Sequence, residues 1–261
     1  MLRSLYTAAT GMDAQQTKLD IIANNLANAS TTGFKKTRAD FQDLLYDTIR
    51  SATEPTGLGG SQPTPLQVGL GVRTASTSRA FAQGDTVETK NPLDLAIQGS
   101  GFFRIQRTNG DIAYTRDGSF RLDSTGRIVT QAGELLEPGL TIPTDATSIT
   151  VNPDGTVQAK LPSSTNLVNV GSIQIASFVN PGGLEAVGNN LFLASASSGD
   201  PLVVKPGDQG TGSINQGSLE GSNVSAVEEM INMITTQRNY ELNSKVVESA
   251  DEMLQKLTTL R

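Results

Sequence analysis

From Ser4 to Ser30 the apolar residues fall at helical spacing. Leu5, Ala9, Met12, Gln16, Leu19, Ala23 and Leu26 step by four and three, which predicts one long helix with a heptad-like seam. Gln16 is a polar interruption of the kind that sets register. Gly33 suits a C-terminal stop. With Leu26 as zero and about 100° per residue, Ala8, Met12, Leu19, Ile22 and Ala23 lie within about 60° of it. Asn25 falls on the flank of that face. Asn24 and Asn28 lie nearly opposite it, with Ile21 and Tyr6. Asn is a poor helix former, and a back face of Asn, Tyr and Ile differs from a solvated face of Lys and Glu. It fits a helix touched by protein on both sides. The plainer alternative is a one-sided helix with a few tolerated Asn residues.

The far end carries a second long helix. Ser225 with Glu228 three residues on forms a capping box. Glu228 and Glu229 sit in the first turns and Lys256 and Arg261 near the last, as the helix dipole favours. Its apolar positions fall in two sets. Val227, Met230, Ile231 and Ile234 share one side. Val246, Val247, Ala250, Met253, Leu254 and Leu257 share a face rotated by roughly 150°. The two halves therefore need different neighbours, or the helix breaks between Thr235 and Asn243.

Between the helices the pattern changes to β from Leu93 to about Val204. Leu93, Leu95 and Ile97 alternate with Asp94, Ala96 and Gln98. Turn signals recur at Asn109-Gly110, Asp117-Gly118, Ser124-Thr125-Gly126 and Asp154-Gly155, the mark of short antiparallel strands in a sandwich or barrel. Phe34 to Asp47 is mixed and reads as helical or extended. Ser51 to Gly71 is rich in Gly, Pro, Ser, Thr and Gln, an extended arm or loop outside any core. The fold class is thus α+β: terminal helices paired as a coiled coil, a central antiparallel all-β domain, and a long extended arm. The expected parts are a terminal-helix domain (1–33 and 223–261), a connector with the arm (34–92 and 208–222), and a β domain (93–207).

Composition narrows the function. Hydrophobic content is 36% and aromatic content 5%, with no Trp, which is lean for a single core of 261 residues. An elongated or multi-domain body with apolar surface kept for neighbours fits better. The net charge of −6 and the lack of a basic run argue against a nucleic-acid partner. No apolar window is long enough for a membrane span, and no ordinary signal peptide is expected. With no Cys and no His, disulfides, thiolate chemistry, the usual general base and the commonest metal ligands are all missing. Asp111, Asp117 and Asp123 are spaced by six and offer an acid/base or metal reading, but Asp at turns is the simpler one. Ser100 and Ser119 have no His partner and no evident Lys base. No cofactor is expected. The glycosylation-type sequences Asn28-Ala29-Ser30 and Asn223-Val224-Ser225 sit at helix boundaries.

Four blocks of sequence resemble the bacterial flagellar rod and hook protein family. They are Gly11-Met12, Gln15-Gln16 and Ile22 to Lys35; Asp94 to Phe103; Ala113 to Phe120; and Asn232-Met233-Ile234 with Gln237 to Glu241 and Asn243-Ser244-Lys245. Asp43 to Tyr46 and Gln67 to Val72 resemble the distal-rod members in particular. Proximal-rod and hook proteins are the neighbouring readings. A secreted β-rich binding module is an alternative of another class, and it would need an exposed aromatic cluster.

The resemblance implies a non-enzymatic subunit of the periplasmic rod in the basal body. Such proteins leave the cell through the flagellar type III export apparatus without a cleaved signal. Many copies stack helically under a rod cap into a hollow shaft that transmits torque. The shaft meets proximal-rod proteins, hook protein and the P- and L-ring proteins, with no direct membrane insertion. The terminal helices line an inner tube and the β domain forms the wall. The assembly interface implied comprises Leu5, Met12, Leu19, Ile22, Asn24, Asn25, Leu26, Asn28, Gly33 and Phe34. At the other end it comprises Ile234, Gln237, Arg238, Tyr240, Glu241, Asn243, Lys245, Leu254 and Leu257. Within it, Ala23 and Leu26 are expected to face the partner helix and Asn24 and Asn28 the adjacent subunits.

Overall fold

The computed structural model describes residues 2–50, 52, 55–56, 60–61, 64–162 and 167–259, without the side chains of residues 2, 55–56, 60–61 and 257–259. The chain forms two compact units. One holds Met1–Ala27, Thr37–Ser78 and Ser225–Arg261. The other holds Asn28–Lys36 and Arg79–Val224.

The first unit is built on two helices, α1 (Leu2–Ala27) and α2 (Ala226–Thr259). They pack against each other, as a coiled-coil pairing of the chain ends requires. Ser225 caps α2: its Oγ accepts a 3.5 Å bond from Glu228 N–H and its carbonyl a 3.0 Å bond from Glu229 N–H. α2 runs unbroken through Thr235 to Asn243, so its two apolar sets face different ways along one continuous helix.

The mixed segment resolves as β. Strand Thr37–Asp43 pairs with Val72–Arg79, and Tyr46–Arg50 pairs antiparallel with Leu66–Gly69. Pro55–Thr56 pairs with Gly60–Ser61 further out. The arm read from Ser51 to Gly71 is therefore the outer part of a two-stranded ribbon, with residues 51, 53–54, 57–59 and 62–63 outside the described residues. The partner of Thr37–Asp43 lies some thirty-five residues on in the sequence, so local periodicity carried no sign of it. The ribbon leans on α1, where Val72 N–H donates to Thr10 Oγ1 at 3.4 Å and Arg3 pairs with Asp47.

The second unit is the antiparallel β domain. Strand Phe102–Gln106 is its centre, paired with Ile112–Thr115, Leu135–Leu136 and Ile175–Ser177. The same sheet continues through Arg121–Leu122, Ile128–Val129, Glu185–Gly188, Leu191–Leu193 and Leu202–Val204, and a three-stranded meander, Ser148–Val151, Thr156–Lys160 and Leu167–Ser172, and two further pairs complete the unit. Alternation divides the apolar side chains between two cores. Phe103 and Ile105 join Leu95, Ile97, Phe120, Leu136 and Ile175 in the larger one. Phe102 turns the other way, into an aromatic cluster with Tyr114, Phe178 and Phe192. Asn109-Gly110, Ser124-Thr125-Gly126 and Asp154-Gly155 close hairpins as expected. Asp117-Gly118 does not: a Cβ on Gly118 would stand 1.6 Å from Leu95 O, so this glycine serves a close backbone approach.

Three of the buried charged side chains in this unit form one cluster. Lys35 and Glu220 are fully buried and ion-paired at 2.5 Å, and Arg116 Nη1 reaches the other Glu220 oxygen at 3.1 Å. Lys35 also donates to Ala82 O at 2.7 Å and Arg116 to Gly99 O at 2.8 Å. Desolvation holds Lys35 below the ordinary lysine value, against the opposing pull of Glu220. Two cations share one anion, so Glu220 is the member whose loss is felt most. Glu220→Gln should cost about 3–5 kcal/mol in chemical denaturation, because both cations then stay buried without a counter-charge. Lys35→Met should cost clearly less, since the Arg116–Glu220 pair remains balanced.

Candidate assembly surface

The helix pair buries polar side chains where α1 ends and α2 begins. Asn25, at 1% exposure, donates to Glu229 Oε2 at 3.2 Å, and Glu229 is itself buried at 1%. Further along, a Cβ on Gly11 would stand 2.9 Å from Asn243 Nδ2, so Gly11 leaves room for that amide. Positions 25 and 11 lie fourteen residues apart on α1, and 229 and 243 lie fourteen apart on α2. The helices are therefore antiparallel, in one register held across two heptads. Thr236 is fully buried and returns its hydroxyl to Asn232 O at 2.7 Å. The amide oxygen of Gln15 is buried without a hydrogen-bond partner among the described residues.

This seam corrects the orientation read from periodicity. Asn25 faces inward and Ala23 is exposed, while Leu5, Met12, Leu19 and Leu26 are only half-buried. The contact line runs through Ala8, Gly11, Ile22 and Asn25, about one residue earlier than the apolar heptad. Small residues and hydrogen-bonding amides let the backbones meet there, and the larger side chains lie about 100° to one side. Asn25 also binds both backbone groups of Thr37, donating to its carbonyl at 2.8 Å and accepting from its N–H at 3.0 Å. It thereby fixes the start of the ribbon.

The first half of α2 turns its apolar side away from α1. Val227 is 68% exposed, and Met230, Ile231, Ile234 and Leu242 are each more than half exposed. At about 100° per residue they stand roughly opposite Glu229, Asn232 and Thr236. In the second half Val247 and Leu254 are half-buried and Ala250 is buried, although Val246 and Met253 remain exposed. The ribbon adds exposed Leu45, Tyr46, Ile49 and Leu66.

The remaining predicted interface residues are dispersed. Ile22 is buried, and Asn24, Gln237, Arg238, Glu241 and Lys245 are exposed. Tyr240 is 40% exposed, Asn243 is half-buried, and Leu257 lies outside the described side chains. Asn28 is half-buried and accepts from Thr31 Oγ1 at 3.1 Å. Gly33 and Phe34 are buried in the β unit. α1 ends at Ala27, so Gly33 is not its stop. Its φ of +67° instead brings the backbone against Asp117, 2.5 Å from where a Cβ would stand. Glu229, Met230 and Leu242 escaped the predicted set. The 150° rotation between the two apolar sets of α2 was the signal that pointed to Met230, whereas Glu229 and Leu242 belong to neither set.

The three aspartates do not gather. Asp117 Oδ1 accepts from Ser119 N–H at 3.0 Å, Asp123 Oδ1 from Ser124 N–H at 2.6 Å, and Asp111 pairs with Asn109 across its own turn. Asp117 borders a cleft of about 330 Å³ with Glu134, but Asp111 and Asp123 do not. Among the described residues no cluster of three His, Cys, Asp or Glu is placed to hold a metal ion.

Three family models match this chain in succession. Residues 5–35 match the flagella basal body rod protein model, 96–159 the D1 domain of flagellar hook protein FlgE/F/G, and 215–260 the C-terminal model of flagellar basal body rod FlgEFG proteins. The flagellar basal-body rod protein FlgG of Caulobacter vibrioides is 49% identical over 261 residues, covering all of both chains. This chain belongs to the flagellar basal-body rod protein family. FlgG of Buchnera aphidicola from Acyrthosiphon pisum is 47% identical and that of Bacillus subtilis 41%, each again over the full length of both chains. The N- and C-terminal family matches span the two helices that form the polar seam, and the D1 match falls within the β unit.

Gly33→Ala should lower the thermal midpoint of the β unit by several degrees, since a left-handed backbone and an occupied Cβ site act together. Calorimetry of the full chain should read this as a shift in the β transition.

Proposed function

We infer that this chain is a structural subunit of the bacterial flagellar distal rod, a hollow drive shaft built from many helically stacked copies. The observation that carries this reading is the inverted helix pair of a full-length relative of rod proteins. A lone hairpin of helices gains by facing its apolar stripe inward, whereas here Val227, Met230, Ile231 and Ile234 face out. Covering each by a second copy contributes roughly 1 kcal/mol from the apolar area still in water. The ribbon supports the same reading, because a two-stranded ribbon is at best marginally stable alone and gains from lying on a neighbour. A contact between unlike surfaces of successive copies propagates along a shaft and does not close on itself.

In this reading helices α1 and α2 form the inner tube and the β unit the wall, with the ribbon lying on a neighbouring copy. The shaft crosses the periplasm and joins proximal-rod proteins to hook protein inside the P- and L-rings, growing beneath a rod cap. Subunits arrive through the type III export apparatus. Torque transmission asks for stiffness and repeated contact, not catalysis.

Met230→Ser/Ile234→Ser tests the proposal in cells whose only copy is the variant. The soluble chain should keep its β unit and its yield, while basal bodies should lack the distal rod and motility should fall at least about tenfold. Normal rods in electron micrographs of that variant would refute the stripe as an assembly surface.

A further inference from the structure

Resting on that assembly reading, we propose that the polar seam between α1 and α2 is a specificity device that keeps the apolar stripe of α2 outward for the next copy. The chain has the side chains for a cohesive seam. Leu19 and Leu26 on α1 and Met230, Ile231 and Ile234 on α2 lie along the same stretch of the pair. Packing them together would give a more stable hairpin with nothing left to offer. Instead the contact line holds a buried carboxylate, Glu229, bound by the Asn25 amide at 3.2 Å. The fully buried Thr236 and the Gly11–Asn243 approach continue it.

Burying a carboxylate costs stability unless it finds its partner, and the Asn25 amide reaches Glu229 across the seam in a single rotational setting of α2. Turning α2 so that the stripe meets α1 strips Glu229 of the Asn25 amide. Such a turn also pulls Val247, Ala250 and Leu254 off the second half of the pair. A polar residue in an otherwise apolar coiled-coil seam selects register and partner at a cost in stability. The orphaned Gln15 oxygen fits a seam in which the strength of the isolated pair is given up. The specificity determinants assigned are thus Asn25, Glu229, Thr236 and Asn243, with Gly11 making room.

The test uses the full chain with Glu229→Met/Thr236→Val, which leaves the bonds between Asn25 and Thr37 in place. Limited proteolysis of the dilute monomer should show the terminal helices cleaved about tenfold more slowly, since an apolar replacement of a buried charged contact is commonly stabilising. The same variant should fail to form rods. Glu229→Gln, which keeps the shape and a hydrogen bond, should behave as the parent chain in both assays. Normal rod formation by Glu229→Met/Thr236→Val would overturn the inference while leaving the assembly reading intact. Faster cleavage of the helices in that variant would overturn it too, because the seam would then be ordinary glue. Normal rods from Met230→Ser/Ile234→Ser would instead remove the assembly reading on which the inference rests.

Discussion

The hydrogen bond between Asn25 and Glu229 governs much of this molecule. It joins the end of α1 to the start of α2, so the two helices are held together where the chain leaves one and enters the other. Because both side chains are buried, the antiparallel pair has one setting in which Glu229 keeps the Asn25 amide. That setting decides everything exposed on α2. The stripe from Val227 to Leu242 faces out because Glu229 faces in. The same Asn25 takes both backbone groups of Thr37, so one amide sets the helix pair and launches the ribbon.

A second polar knot plays a comparable part in the β unit. Glu220, in the last strand before α2, gathers Lys35 from the segment after α1 and Arg116 from the sheet. The Gly33 N–H also donates to the Glu220 carbonyl, at 2.8 Å. Asn223 adds to this by accepting from Lys36 N–H and donating to Ala80 and Ala82 carbonyls. The segments that enter and leave the β unit are thus tied by charged and amide groups, where apolar packing would set direction poorly. Hydrophobic contacts supply cohesion in the interior cores, and polar contacts supply direction at the entrances.

These features suit a protein whose work is mechanical. A shaft subunit needs apolar surface reserved for neighbours and internal contacts that do not compete for it. The lean apolar composition follows from that demand: the β cores take most of the large side chains, and much of the rest is left on the outside of α2 and the ribbon. The family to which the chain belongs accords with such a design.

The helices, the β middle and most hairpins were legible in the sequence, because each rests on local spacing: 3.6 for helices, 2 for strands, and Gly or Asn at tight turns. The family resemblance was legible too, since it lies in contiguous blocks. Spacing also showed that α2 has two apolar faces. It did not say which face meets α1, and there the reading erred by placing Ala23 inward and Asn25 on the flank. Periodicity ranks faces by hydrophobicity, whereas a face is chosen by what stands opposite it. Gly33 misled for a similar reason: its left-handed backbone answers Asp117, not the end of a helix. The strand Thr37–Asp43, the buried Lys35–Glu220–Arg116 cluster and the inward Glu229 all depend on partners distant in the chain. Only the tertiary structure could decide them, because a buried polar group is stable or costly according to the one atom that faces it.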